Sequence, residues 1–185
     1  MVNDSELQAY INATVNTLKN SQPHLLNERI VNAPFEDKLI SVKLGLGVVV
    51  LLVVNTSTNT IDRIELSNTE LAKGAVEVSA KRFHEIKIPV DDKENAIALS
   101  VRTGELQIVD DWKYLFTPEL NEDEARMNQA GAAIGCSLVQ SFKGNNISGA
   151  LICSFFQEPT LIAEHHKKFI KAYAHAVGEA LDTPN

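Results

Sequence analysis

IKIPVDDKENAIALSVRTGELQIVDD, residues 86–111, is the stretch that decides how this chain is read. Phe83 to Ile88 sets Phe83, Glu85 and Lys87 against His84, Ile86 and Ile88, which predicts an edge strand ending at Ile88-Pro89. Glu94–Val101 then predicts a short helix. Asp91 or Asp92 lies at its N-terminus, where negative charge meets the helix dipole favourably, and Gly104 is its natural stop. Glu105–Val109 returns to strand and runs into Asp110-Asp111-Trp112. Further on, Thr117 as cap and Pro118 as first helical residue predict a charged helix through Gln129.

Downstream, Ala132–Gln157 reads as a β-hairpin, with strands Ala132–Phe142 and Ile147–Phe156 joined by Lys143-Gly144-Asn145-Asn146. Setting Phe142 against Ile147 brings Leu138 opposite Leu151, Cys136 opposite Cys153 and Ile134 opposite Phe155, all on one face. Gln140 against Gly149 interrupts that apolar row. Thr160–Leu181 closes the chain as an amphipathic helix with Ile162, His166, Phe169, Ile170, Tyr173, Val177 and Leu181 as its stripe.

Upstream, Leu7, Tyr10, Ile11, Val15 and Leu18 recur at helical spacing and predict a helix over Ser5–Asn20, capped by Asp4 or Ser5 and stopped before Pro23. His24–Ala33 fits a second short helix, and Pro34–Leu44 a third, ended by Gly45 and Gly47. The unbroken run Val48–Val54 predicts a central strand buried on both faces. Asn55–Thr60 is a turn, and Ile61–Leu66 a partner strand with Ile61, Arg63 and Glu65 on one face and Asp62, Ile64 and Leu66 on the other. Ser67–Lys81 reads as either a helix or a surface loop.

With 185 residues, 44% hydrophobic and 22% charged, the composition is that of an ordinary globular chain, and we expect one domain over 1–185 (helical segment 1–33, core 34–181). A net charge of −7 without a basic cluster argues against nucleic acid or an anionic membrane as partner. The polar start MVNDSELQAY and the shortness of the Val48–Val54 run predict neither a secretory signal nor a membrane span, so the expected location is cytoplasmic.

Strand-and-helix order, Ile88-Pro89, the turn Arg102-Thr103-Gly104-Glu105 and the following Asp110 together resemble a GAF domain, over about Pro34–Leu181. The resemblance implies an α+β fold. A central antiparallel sheet of five to six strands carries the terminal helices on one face, and loops and short helices cover a ligand pocket on the other. It implies a non-enzymatic sensory module that binds a small ligand and transmits the event through its terminal helices, as a homodimer or with a signalling partner. The specialised signatures of the family are missing. Neither the Asn-Lys-Phe-Asp-Glu signature of cyclic-nucleotide binders nor the cysteine and histidine of bilin binders is present, the latter expected within Glu94–Val101. Members that reduce free methionine sulfoxide use several pocket cysteines, whereas Cys136 and Cys153 lie in hairpin strands, and Ser141 stands where a proline is usual.

On this reading the ligand-contacting candidates are Ser100, Arg102, Thr103, Asp110, Asp111, Trp112 and Tyr114, clustered around one opening between Glu94–Val101 and Asp110–Gln129. Trp112 and Tyr114 offer stacking surfaces and Asp110 a hydrogen-bond acceptor; the same residues also read as core-edge packing and helix capping. Cys136 and Cys153 read either as two buried thiols or as a cross-strand redox pair, the basis of an alternative redox enzyme or switch. A ligand-free dimerisation scaffold is the other alternative. His165, His166 and His175 lack metal-ligand spacing, so no metal is expected, and haem through His84 is left open. Glu119, Glu122, Asp123 and Glu124 match no calcium loop and suit the first turns of a helix.

Overall fold

The computed structural model describes residues 1–156 and 161–183. Six antiparallel strands form one sheet in the order β3-β2-β1-β6-β5-β4. They are β1 Leu46–Asn55, β2 Thr60–Leu66, β3 Lys87–Pro89, β4 Gln107–Val109, β5 Cys136–Lys143 and β6 Ser148–Phe155. Helices α1 Asp4–Lys19, α2 Leu26–Asn32, α3 Lys38–Leu44 and α8 Glu164–Asp182 lie on one side of the sheet. Helices α4 Glu70–Val78, α5 Ala96–Thr103, α6 Lys113–Phe116 and α7 Glu122–Gly131 lie on the other.

Strand β1 separates the two cores because its side chains alternate. Val49 and Leu51 face the terminal helices, and Val48, Val50 and Leu52 face the opposite layer. On the helical side Phe169 stacks on Tyr173 with ring centroids 5.5 Å apart, Tyr10 sits 5.1 Å from Phe169, and the Tyr173 hydroxyl donates to Ile30 O at 2.6 Å. A fully buried apolar side chain of this size contributes about 2 kcal/mol of transfer free energy, and these rings lock α1, α2 and α8 onto the sheet. The stripes Leu7/Ile11/Leu18 and Phe169/Tyr173/Val177 are all at most 5% exposed and are consumed within the chain, so they are not free to form the surface of the homodimer that the resemblance implies.

His166 pins α8. Its Nδ1 accepts from Ala163 N at 3.0 Å and its Nε2 lies 2.9 Å from Leu44 O, which fixes a neutral ring with hydrogen on Nε2. Burial lowers its pKa, outweighing the backbone hydrogen bond to Leu44. Because the folded value is depressed, the contribution is present above the unfolded histidine value of about 6.5 and is lost as pH falls through the folded one. The thermal midpoint should therefore decline between pH 7 and 5, and His166→Phe should flatten that decline. Equal slopes in the two proteins would remove His166 as the cause.

Several local expectations are corrected. Asn3, not Asp4 or Ser5, caps α1, through a reciprocal box with Glu6. The Pro34–Leu44 helix splits into a 3-10 turn at Ala33–Phe35 and α3. Phe83–Glu85 is a 3-10 turn, so only Lys87–Pro89 is strand. The charged helix starts not at Thr117 but at Glu122, where Asn121 and Glu124 form another capping box; Thr117 Oγ1 instead bonds back to Lys113 O, ending α6. Ser67–Lys81 holds helix α4. The final hairpin is shifted by two residues from the expected register, pairing Phe142 with Gly149, Leu138 with Cys153 and Cys136 with Phe155. Gly149 explains the shift, since a Cβ there would meet Phe142 Cζ at 2.8 Å and the Leu52 carbonyl oxygen. Gln157 and Thr160, the expected ends of the hairpin and of the last helix, lie outside the described residues.

Candidate cavity under helices α4 and α7

The site begins with a β-bulge. Opposite Leu51 and Leu52 stand Glu65 and Arg63, so Ile64 is the extra residue. Ile64 packs with the helical-side core, while Arg63 and Leu66 both turn to the other face. A bulge re-aims side chains in this way, and it breaks the simple alternation that placed Ile64 with Leu66. Val48, Val50, Ile152 and Ser154 form the floor of a cavity of about 40 Å³, with Arg63 and Leu66 beside them. Helix α4 covers it with Ala72, Ala75 and Val76, and α7 contributes Asn128. Phe83, Trp112 and Phe116 close the walls. Such a volume holds roughly three water molecules.

The cover is set by two glycines. Where α4 crosses α7, a Cβ on Gly131 would lie 2.6 Å from Gly74 O, and one on Gly74 would run into Gly131 O. Only glycine lets these two backbones approach so closely.

Arg63 is 8% exposed. Its guanidinium carbon lies 4.2 Å from the Phe116 ring centroid and 5.3 Å from that of Phe83. These contacts return part of the desolvation energy, yet among the described residues it has no carboxylate partner, and its buried Nε has no hydrogen-bond acceptor. Burial pushes its pKa down to about 9, so it remains charged at neutral pH. Asn128 is the second unsatisfied group. Ser79 Oγ donates to Lys81 O at 2.7 Å, so Asn128 Nδ2 must donate to Ser79 Oγ, at 3.1 Å, which leaves the buried Asn128 Oδ1 without a donor among the described residues. Lys81, at the edge, is paired with Glu119 at 3.0 Å.

Of the seven ligand-contacting candidates, Trp112 alone lines this cavity. Its Nε1 donates to Ser137 Oγ at 2.9 Å, which shares a 2.7 Å hydrogen bond with Ser154 Oγ. Ser100 is buried and holds Glu105 O and Ser141 N, fixing α5 to β5. Arg102 binds the carbonyls of Val90 and Asp92, and Thr103 bonds back to Leu99 O. Asp110 is exposed. Asp111 receives Arg126 at 2.9 and 3.1 Å. Partial burial opposes ionisation there, but those hydrogen bonds win and hold the carboxyl below its usual range. Tyr114 is exposed beneath Lys113 Nζ. No residue of α5 lines the cavity, whose cover comes from α4 instead.

Cys136 and Cys153 are not opposed, and both point toward the helical layer, away from the cavity. Burial pushes the Cys136 thiol up to about 11 and raises Cys153 as well. A redox thiol needs access and a low pKa, and these have neither. His84 bonds through Nδ1 to Arg63 O at 3.1 Å and does not line the cavity. No group of three metal-ligating side chains converges among the described residues, and no described helix is long and apolar enough to cross a membrane.

A GAF domain of an Acinetobacter phosphoenolpyruvate-protein phosphotransferase superposes with a TM-score of 0.64, covering 97% of this chain and 93% of its own at 9% identity. This is a GAF fold. The GAF domain of the corresponding phosphotransferase of Coxiella burnetii gives 0.63, over 96% and 94%, at 14% identity. The same GAF fold forms the free methionine-R-sulfoxide reductase of Neisseria meningitidis, at 0.60 over 96% and 89% with 9% identity, so it is found in a free-standing enzyme as well as in single domains of phosphotransferases. No family model and no curated protein matches the chain by sequence.

Arg63, Asn128, Ser79, Phe83 and Phe116 escaped the sequence reading. One signal was available: Arg63 shares its face of β2 with Ile61, a residue that the adjoining apolar strand predicts to be buried.

Proposed function

We propose that this chain is a sensory domain that binds a small ligand in the cavity beneath α4 and α7 and reports occupancy through conformation rather than by catalysing a reaction. The observation that supports this reading is the pair of buried, unsatisfied polar groups, Arg63 Nε and Asn128 Oδ1, on the walls of one apolar cavity. Buried polar atoms are ordinarily hydrogen-bonded, so two orphans in one small space mark a place prepared for a guest. Transmission follows from the sheet. Val48 and Val50 touch the cavity, while Val49 and Leu51 on the same strand touch the core of α1 and α8. A ligand that favours one placement of β1 and β2 biases the helical layer by its difference in affinity for the two placements.

The test is a library of small anionic, neutral and cationic compounds, with binding read by methyl NMR of Val48, Val50 and Ile152. The proposal expects at least one compound to perturb these methyls and raise the thermal midpoint. A library that leaves all three methyls unmoved would overturn it.

A further inference from the structure

We infer that the guest is a small monocarboxylic acid with a short apolar body and a hydrogen-bond donor beside the acid group, such as a short 2-hydroxy acid. This rests on the cavity being the ligand site. Arg63 selects the anion. Its planar fork of N–H donors matches a carboxylate in bidentate geometry, and it is the one cavity-lining cation without a partner among the described residues, Lys81 being paired with Glu119. A single positive charge also argues for a monoanion. A phosphate dianion would keep an uncompensated charge in an apolar enclosure, where isolated charge is strongly disfavoured.

Asn128 selects the donor. Its Oδ1 can only accept, so a ligand hydroxyl or amine satisfies it where a plain fatty acid does not. The rest of the ligand meets Val48, Val50, Leu66 and Ile152, so its body is hydrocarbon. The volume of about 40 Å³ limits the part of the ligand held beneath α4 and α7 to a few non-hydrogen atoms unless α4 moves outward.

The experiment uses the whole chain and matched probes, 2-hydroxypropanoate, its neutral amide, plain propanoate and inorganic phosphate, each followed by calorimetry and by the Val48, Val50 and Ile152 methyls. Expected is binding of the hydroxy acid at least tenfold tighter than its amide. Arg63→Met should abolish this and Arg63→Lys should retain part of it. Asn128→Leu should bring the hydroxy acid to the level of propanoate. Amide binding equal to acid binding, or survival of acid binding in Arg63→Met, overturns the inference, as does phosphate binding more tightly than the acids. Absence of binding by the acids also overturns it; a neutral or cationic compound that still moves the cavity methyls would leave the sensory reading standing.

Discussion

Gly74→Val is expected to lower the thermal midpoint by roughly 10 °C, through a loss of about 3 kcal/mol. Valine is a better helix former than glycine, so propensity alone predicts a slight gain. Packing reverses the sign. The first atom added to Gly74 is directed at the Gly131 carbonyl oxygen, which is backbone and cannot rotate away. Helix α4 must therefore lift from α7, and Ala72, Ala75 and Val76 lose their seat over Val48 and Val50. The lift uncovers Arg63 to water, so the variant should also bind an environment-sensitive apolar dye that wild type excludes. Substitution of the exposed neighbour Lys73 by alanine provides the comparison, since it leaves the crossing untouched. Unchanged midpoints for Gly74→Val would mean that the two helices do not meet at these glycines.

The fold was legible where one physical rule acted alone. Val48–Val54 could only be a strand buried on both faces, and the apolar stripes marked the first and last helices, although helical spacing does not say whether such a stripe meets its own sheet or a second copy. The faces of the final hairpin were also readable. Its register was not, because side-chain alternation has a period of two and cannot distinguish registers that differ by two residues; the fit of Phe142 over Gly149 decides between them. The start of α7 was carried by Asn121 and Glu124, a capping pair visible in the sequence but outcompeted by the stronger-looking Thr117-Pro118. The site was less legible than the scaffold. Trp112 was reached through its position after a strand. The bulge at Ile64, which no pattern of apolar residues announces, hid the turn of Leu66 toward the cavity, while Arg63 stood on its expected face beside Ile61 but between Asp62 and Glu65, where a cation reads as solvated. Helix α4 was ambiguous because of Gly74, the residue that allows it to serve as the cover.

Arg63→Met should stabilise the unliganded protein by about 2 kcal/mol, a rise in midpoint of roughly 5 °C, while removing its response to acids. The guanidinium is confined at 8% exposure without a countercharge among the described residues, and burial has drawn its pKa down to about 9. For a base whose folded pKa is depressed, the penalty is complete at every pH below the folded value, so it is fully in force at pH 7. Methionine has nearly the same reach, fills the same space against Phe83 and Phe116, and keeps favourable sulfur–aromatic contact in place of the cation–π contact. It removes the charge and the orphaned Nε together. A protein that retains such a destabilising arginine gains something other than stability from it, as binding sites commonly do. The opposite result, a fall of several degrees on Arg63→Met, would identify the arginine as a prop for Phe83 and Phe116, and the unpaired charge would then carry no argument for an anionic ligand.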